Sequence, residues 1–487
     1  MDGLTQDFLH FEKERALFER NYCGFPYWQG MRIKIRMVIT GLEDIYKLPE
    51  ITISETKRKK GRYFPLCKGY LKDVWNYFHL KKCDILYFDQ GLEGAYRNVD
   101  GEIKDVYFEY FEYEDKYQVE RCYYIKGNKR NPQKPGIGVD LLLPYKLKMK
   151  IQSLLKPQNK IDPEEDEFLH SLCDDINKKY DKNISADAVI QEIQYNCDIH
   201  KIYEKYYRKI LRRTRPDVII LQCHYSETLY PLYKIAKEFS VPVIELQHGH
   251  VCNHLAYNYF DTSNMGKELP DYLFTYGDFW NKQIRLPIGT KIISIGNPFL
   301  ESMRTKYNEM AYEKGIVFYS GKFSSDGREL EKLAVNFCKK HRNEGYKIYF
   351  KFHPGEASVW KDKYLLLADC EDIEIIEPNM NIYRLFSLAK HHISVMSTVL
   401  YEAVCFDVCR YIYNFEGIKE FMVEICAPLM ESGCAQKFST IQELEDLINE
   451  KENTEFDVVE EMWKSGAKEN GQKAVKEIIE NNNQRGK

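Results

Sequence analysis

Apolar residues in this chain occur in two arrangements, as short unbroken runs and as longer stretches in which they return every three or four positions. An unbroken run of Val, Ile, Leu and Phe marks a strand buried on both faces, as in a parallel sheet, and a return at three and four marks a helix with one covered face. Asp217-Val218-Ile219-Ile220-Leu221 is the clearest run. A helical pattern over 227–239 follows it, then a second run, Val241-Pro242-Val243-Ile244-Glu245-Leu246, giving the length of one βαβ unit with a right-handed crossover. Runs at 273–276 and 292–295 continue that sheet. A second series begins with Ile316-Val317-Phe318-Tyr319 and Ser320-Gly321-Lys322 as its first strand-to-loop turn. It runs through a helix over 328–342, strands at 347–350, 393–396 and 409–413, and late helices at 441–448 and 475–479. The seam between the two series falls near 298–315.

The chain before residue 215 is less regular. A helix is expected over 8–20, a strand at 33–39, and another at 83–89 that ends in Asp89-Gln90-Gly91. The stretch 105–125, with Tyr, Phe and Val interleaved with Glu, reads as an exposed β-hairpin or insertion. Pro132, Pro135 and Gly136 mark a loop, and a charged helical stretch follows over 145–212. The expected fold class is α/β, with two Rossmann-like, doubly wound lobes facing a cleft. The first lobe covers 1–298, with a helical insertion at about 100–212, and the second covers 299–487.

With 487 residues, 44% of them hydrophobic, the chain can bury two or three real cores. A net charge of -4 argues against general binding to nucleic acid backbones. Basic runs at 57–62 and 126–134 are either solvated loops or contacts for phosphate and anionic lipid. No stretch approaches the roughly 20 apolar residues that span a bilayer, and residues 1–20 alternate charged with apolar positions instead of building a signal-peptide core. The expected location is the cytoplasm, with peripheral association at the inner face of the membrane. Fourteen cysteines are scattered without a C-x-x-C pair, which fits reduced packing thiols. His248, His250, Cys252 and His254 lack the flanking turns of a zinc site, and no metal is expected there.

Two strings carry candidate chemistry: Lys351-Phe352-His353-Pro354-Gly355 and Ser397-Thr398-Val399-Leu400-Tyr401-Glu402. Each follows an expected parallel strand, so both fall at the carboxyl edge of one sheet, where open α/β sheets bind ligands. The second string opens an expected helix, capped by Ser397 or Thr398, with Leu400, Ala403 and Val404 as its apolar stripe. A helix start suits a phosphate. Glu402 lies one turn, roughly 6 Å, beyond Thr398, where a carboxylate can accept bonds from ribose hydroxyls. His353 can donate to the same phosphate, and Gly321 lets the backbone approach a nucleotide, with Lys322 as an extra cation. Either string alone is also explained by a turn or a cap. In the first lobe, Gln247-His248-Gly249 sits at a strand end, so His248 faces the same cleft or is a satisfied structural histidine. Asp89 and Glu227 are candidate bases, or surface carboxylates. No G-x-x-x-x-G-K-[ST], no G-x-G-x-x-G after a strand and no Asp-x-Asp at a strand end occurs.

The order of strand, His-Pro, strand and Ser-Thr-x-x-x-Glu resembles the donor half of GT-B glycosyltransferases of bacterial surface and capsular polysaccharide biosynthesis, the capsule and sialyltransferase-like group in particular. Leu246-Gln247-His248-Gly249, Phe274-Thr275-Tyr276-Gly277 and Ile295-Gly296-Asn297-Pro298 stand in the order such proteins show, and the resemblance covers roughly 215–415. It implies metal-independent transfer without a bound cofactor. The partners it implies are a nucleotide-sugar donor, with CMP-linked acidic sugars leading, and a glycan or lipid-linked glycan acceptor. It implies donor contacts at Gly321, Lys322, His353, Pro354, Ser397, Thr398 and Glu402, with the acceptor side in the first lobe. Three alternatives share the two-lobed fold: a CDP-glycerol or CDP-ribitol phosphotransferase, a nucleotide-sugar epimerase, and a non-catalytic assembly protein.

Overall fold

The computed structural model describes residues 3–40, 75, 77–90, 95–99, 102–123, 137–138, 161–226, 228–252, 254–264, 266–307, 309–321, 324–353, 356, 359–377, 380–418, 420–450 and 456–485. Its strands in chain order are β1 (Ile85–Asp89), β2 (Tyr96–Val99), β3 (Glu102–Asp105), β4 (Val119–Tyr123), β5 (Ile137–Gly138), β6 (Val218–Leu221), β7 (Val243–Leu246), β8 (Tyr272–Thr275) and β9 (Lys291–Ser294) in the first half. The second half holds β10 (Gly315–Tyr319), β11 (Lys347–Lys351), β12 (Ile373–Ile375), β13 (His391–Ser394), β14 (Cys409–Tyr413) and β15 (Gln436–Phe438).

Two sheets result, ordered β5-β4-β1-β6-β7-β8-β9 and β12-β11-β10-β13-β14-β15, and every neighbouring pair in both is parallel. In each, the chain builds outward from a central strand, then reverses, at β1/β6 and at β10/β13. That order is the doubly wound one, and the two-lobed α/β architecture is the GT-B fold. The apolar runs became the most buried strands: Val218, Ile219, Ile220 and Leu221 of β6 are wholly inaccessible. Each such side chain contributes about 1.5–3 kcal/mol by leaving water.

Both faces of each sheet are covered. Tyr207, Ile210 and Leu211 of the helix Ala186–Thr214, with Tyr233 of Tyr230–Glu238, pack on Leu86, Phe88, Ile219 and Leu221. On the opposite face Phe108, Phe111 and Tyr113 meet Tyr87, Ile220 and Ile244. In the second lobe Leu330, Ala334 and Phe337 cover Ile316, Phe318 and Ile393, while Leu385 and Ala389 pack beneath Val317 and Tyr319.

The helix expected over 8–20 is Gly3–Glu14 followed by the 3-10 turn Leu17–Glu19, the strand expected at 393–396 is β13, and β12 and β15 were not expected; four further departures change the reading of the fold. Residues 28–39 form a helix, Trp28–Ile39, and not a strand: buried Trp28, Met31, Arg32, Ile35 and Ile39 recur at helical spacing, which outweighs the β-branched content. Residues 105–123, the described part of the stretch 105–125, are not an exposed hairpin. The antiparallel hairpin is the preceding pair β2/β3, and β4 lies inside the parallel sheet. The helix expected to open at Ser397 is a single turn, Val399–Glu402, that tightens into the 3-10 turn Ala403–Cys405, because the chain must re-enter the sheet at Cys409. Finally, the terminal helix Ala467–Arg485 returns to the first lobe, where Val475 and Ile478 join the core against Ile85 and Val218.

That return explains two of the motifs. A Cβ on Gly277 would lie 2.2 Å from the Glu461 carbonyl oxygen, and one on Gly296 would lie 2.2 Å from that of Lys464. Both glycines let the returning backbone lie flat on the ends of β8 and β9. Asn297 then caps the helix Pro298–Lys306 by accepting from the Leu300 N–H at 3.1 Å, with Pro298 at its first position. Among the described residues no helix is long and apolar enough to cross a membrane, and every described cysteine is a free thiol.

Candidate functional site

The carboxyl ends of the two sheets face a shared cavity of about 280 Å³. From the first lobe it is lined by His248, Gly249 and His250 after β7, by Tyr276 after β8, by Asn297 after β9, and by Arg97 and Tyr107 on and beside the β2/β3 arm. Thr398, Tyr401, Glu402 and Tyr383 line it from the second lobe, and Trp463 of the returning segment completes the wall. Parallel strands place all their carboxyl ends on one edge, and two such edges face each other here.

Gln247 sets the first-lobe wall. Its side-chain amide donates to the Gly249 carbonyl at 2.7 Å and accepts from the Tyr276 N–H at 2.9 Å, pinning the ends of β7 and β8 and the turn that carries His248. Half-buried His248 is 3.2 Å from the Tyr225 hydroxyl through Nε2. Burial holds the His248 pKa below its ordinary value, and it brings His250 down to about 4, so both rings are neutral at pH 7. Beneath them is a buried anchor: Glu245 meets His224 Nδ1 at 2.7 Å and accepts from the Tyr257 hydroxyl at 2.8 Å, while His224 Nε2 faces the Ala256 carbonyl at 3.0 Å. Both ring nitrogens of His224 thus face acceptors, and the ring serves as a two-ended tie between β6 and the loop after β7.

In the second lobe, Tyr383 donates its hydroxyl to Glu402 and accepts from Arg97 Nη1 at 3.2 Å. The arm of the first lobe is thereby joined to the short helix of the second across the cavity. Burial opposes the charge on Arg97, but Tyr383 and Glu402 more than compensate and hold its pKa above the usual value. Ser397 Oγ accepts from the Val399 N–H at 3.3 Å, whereas Thr398 makes no capping bond with its side chain and is exposed to the cavity.

Of the residues singled out in the sequence, His248, Thr398 and Glu402 come together in this cavity. His353 lies half-buried at the end of β11, its N–H donating to Ser320 Oγ at 2.9 Å, and Gly321 is buried after β10; neither lines the cavity. Among the described residues a Cβ at Gly321 would meet Met396 O at 3.7 Å and Asp326 Oδ2 at 3.8 Å, ordinary van der Waals contacts. The Ser320 hydroxyl also donates to Glu356, a buried carboxylate that accepts from Tyr364 as well and anchors the turn after His353. Asp89 is fully buried at the end of β1 and does not line the cavity. Glu227, Lys322 and Pro354 lie outside the described residues. No motif pointed to Arg97, Tyr107 or Tyr383, which enter through the arm and a helix remote from every motif. Among the described residues no cluster of three or more His, Cys, Asp or Glu is placed to hold a metal ion.

No protein-family model and no curated protein matches the chain by sequence. Solved structures of similar shape include a UDP-GlcNAc 2-epimerase from Methanocaldococcus jannaschii, with 14% identity, 80% of this chain and 99% of that chain covered, and a TM-score of 0.43. MurG from Acinetobacter baumannii aligns at 11% identity over 81% of this chain and 99% of its own, with a TM-score of 0.42. The wall teichoic acid polymerase TagF aligns at 12% identity over 86% and 98%, with a TM-score of 0.43. At such values no chemistry transfers from one protein to another, and the architecture rests on the strand order.

Proposed function

We propose that the protein is a metal-independent glycosyltransferase that takes a nucleotide-activated sugar, with a CMP-linked acidic sugar as the favoured donor, and builds a bacterial surface polysaccharide or glycolipid. The observation that carries this reading is the cavity between two facing carboxyl edges, lined by His248 from one lobe and by Thr398 and Glu402 from the other. In this reading Glu402 accepts from the ribose hydroxyls, Thr398 and Ser397 bond phosphate oxygens, and His353, at the end of β11 with β10 between it and β13, would approach the same phosphate from outside the cavity wall. In the same reading Gly321 lets the backbone approach the nucleotide, and Lys322 and Pro354, which lie outside the described residues, are further donor contacts.

Transfer requires an acceptor hydroxyl to lose its proton as the nucleotide leaves. In this reading His248, which burial keeps neutral and whose Nε2 meets the Tyr225 hydroxyl, takes that proton. Glu402 is the one carboxylate among the described residues that line the cavity, and it is already bonded to Tyr383. That favours a transferase over an epimerase, whose chemistry calls for further carboxylates in the cleft. The acceptor, a glycan or lipid-linked glycan, would enter from the first lobe, at the inner face of the membrane.

The test is a thermal-shift panel of CMP, UDP, CDP and GDP with their sugar-linked forms, followed by product analysis with the best ligand. The reading expects one nucleotide family to raise the melting temperature and the shift to shrink in Glu402→Gln. No shift with any nucleotide overturns it.

A further inference from the structure

Arg97 belongs to no motif and has no part in the roles assigned above. It stands on β2, in the arm that the first lobe extends over the cleft, and faces the cavity together with Glu402. Among the described lining residues it is the one permanent cation, since His248 and His250 are held neutral. Its guanidinium lies 5.2 Å from the ring centre of Phe299 and 5.8 Å from that of Tyr383. These two rings flank the guanidinium, and the phenol of Tyr383 hydrogen-bonds to both Arg97 and Glu402. One wall of the cavity therefore holds a cation with a rigid multi-donor fork, and beside it a carboxylate that can only accept. A ligand that satisfies both carries hydroxyls next to an oxyanion.

We propose that Arg97 is the oxyanion receptor of this cavity, and that the transferred unit of the donor is itself anionic, bearing a carboxylate or a phosphate. The fork geometry of a guanidinium matches either group bidentately. The inference rests on the nucleotide-sugar reading and sharpens it: it selects acidic sugars and polyol phosphates over neutral hexosamines. Because Arg97 comes from the first lobe and Glu402 from the second, the two ends of one ligand would be held by different lobes.

The experiment is titration calorimetry on the full chain. Wild type, Arg97→Gln and Arg97→Lys are each titrated with CMP-N-acetylneuraminic acid, CDP-glycerol, UDP-N-acetylglucosamine, CMP and cytidine. Loss of a charged hydrogen-bonding partner should weaken the matching ligand about 10- to 100-fold. Arg97→Gln is expected to lose that factor for the ligand with the anionic transferred unit, relative to CMP alone. Arg97→Lys should recover part of it, since it keeps the charge and loses the fork. An equal loss for CMP, with cytidine unchanged, keeps Arg97 as the receptor but assigns the oxyanion to the nucleotide's own phosphate, which overturns the claim about the transferred unit. Nucleotide binding that is indifferent to Arg97 overturns the receptor itself while leaving the proposed function intact. A wild-type protein that binds none of the ligands overturns both. If Arg97→Gln does not fold, judged by its melting curve, Arg97→Lys decides: a loss of about 3-fold or more, confined to the anionic ligand, supports the receptor, and no selective loss refutes it.

Discussion

Gly296→Ala is the substitution whose effect follows most directly from the structure. Gly296 has φ +96°, in the left-handed region, where an L side chain costs about 1–2 kcal/mol. Its new methyl would also lie 2.2 Å from the Lys464 carbonyl oxygen, 2.6 Å from Ala467 Cβ and 3.0 Å from Ala467 Cα. These are backbone atoms and the root of a side chain, so the returning segment must move, and overpacking of this kind costs about 1–3 kcal/mol. The sum is about 2–5 kcal/mol. Gly466→Ala isolates the first contribution: Gly466 has φ +72°, but the nearest atom to its Cβ is Asn470 Nδ2 at 3.8 Å. A displaced segment carries Trp463 with it, which stacks on Tyr276 at 5.0 Å and donates to the Tyr401 carbonyl at 3.1 Å. Urea unfolding followed by tryptophan fluorescence reads the change directly. With a slope on the order of 3 kcal/mol/M, the Gly296→Ala midpoint should fall by about 1 M, and that of Gly466→Ala by less than half as much. Equal midpoints for the two variants would refute the close-approach reasoning.

Two further outcomes are expected. Arg32 is fully buried and bonded to Glu12 through Nε and Nη2, both at 2.7 Å, so Glu12→Gln strands a buried charge and should cost about 3–5 kcal/mol in thermal or urea unfolding; a cost below about 1 kcal/mol contradicts this. Burial, first among the causes, lowers the pKa of His391 to about 4 and that of His392 to about 3. The unfolded chain, with histidine near 6.5, therefore takes up protons first, so the stability from these neutral rings is full above about pH 6.5 and is lost as pH falls toward the folded values. By pH 5 each ring should account for a loss of about 2 kcal/mol. In His392→Asn the drop in stability between pH 7 and pH 5 should shrink by that amount, and an unchanged drop would remove His392 from the account.

The parts of the fold that could be read in the sequence are those whose burial is decided locally. β6 and β10 are apolar on both faces and β7 is apolar except at Glu245, so their runs stand out, and most of the strand order from 217 onward follows; β12 and β15, three residues each, were too short to show, and β13 begins with two histidines ahead of its apolar run. The helix Trp28–Ile39 was obscured because Ile33, Ile35, Val38 and Ile39 favour strands, while its partner, the loop after β7, lies more than 200 residues away: Arg32 reaches the Leu255 carbonyl at 2.7 Å. The return of Ala467–Arg485 was not visible for a similar reason, since a polar helix with a narrow apolar stripe does not announce which lobe it covers. Within the site, His248, Thr398 and Glu402 were legible because strand-end positions of a parallel sheet share an edge. Arg97 and Tyr383 were not, because a hairpin arm and a remote helix meet there only through the tertiary fold. The Gly277 and Gly296 motifs were visible as patterns, and their cause is a close backbone approach that spacing alone does not reveal.

A ligand held between the two lobes should leave its mark on both at once. Hydrogen exchange of backbone amides, measured with and without the best nucleotide or nucleotide sugar, tests this directly. The account predicts slower exchange at 246–250 in the first lobe and at 396–402 in the second, together, at saturating ligand. Protection confined to one lobe, or lying elsewhere on the molecule, would contradict it.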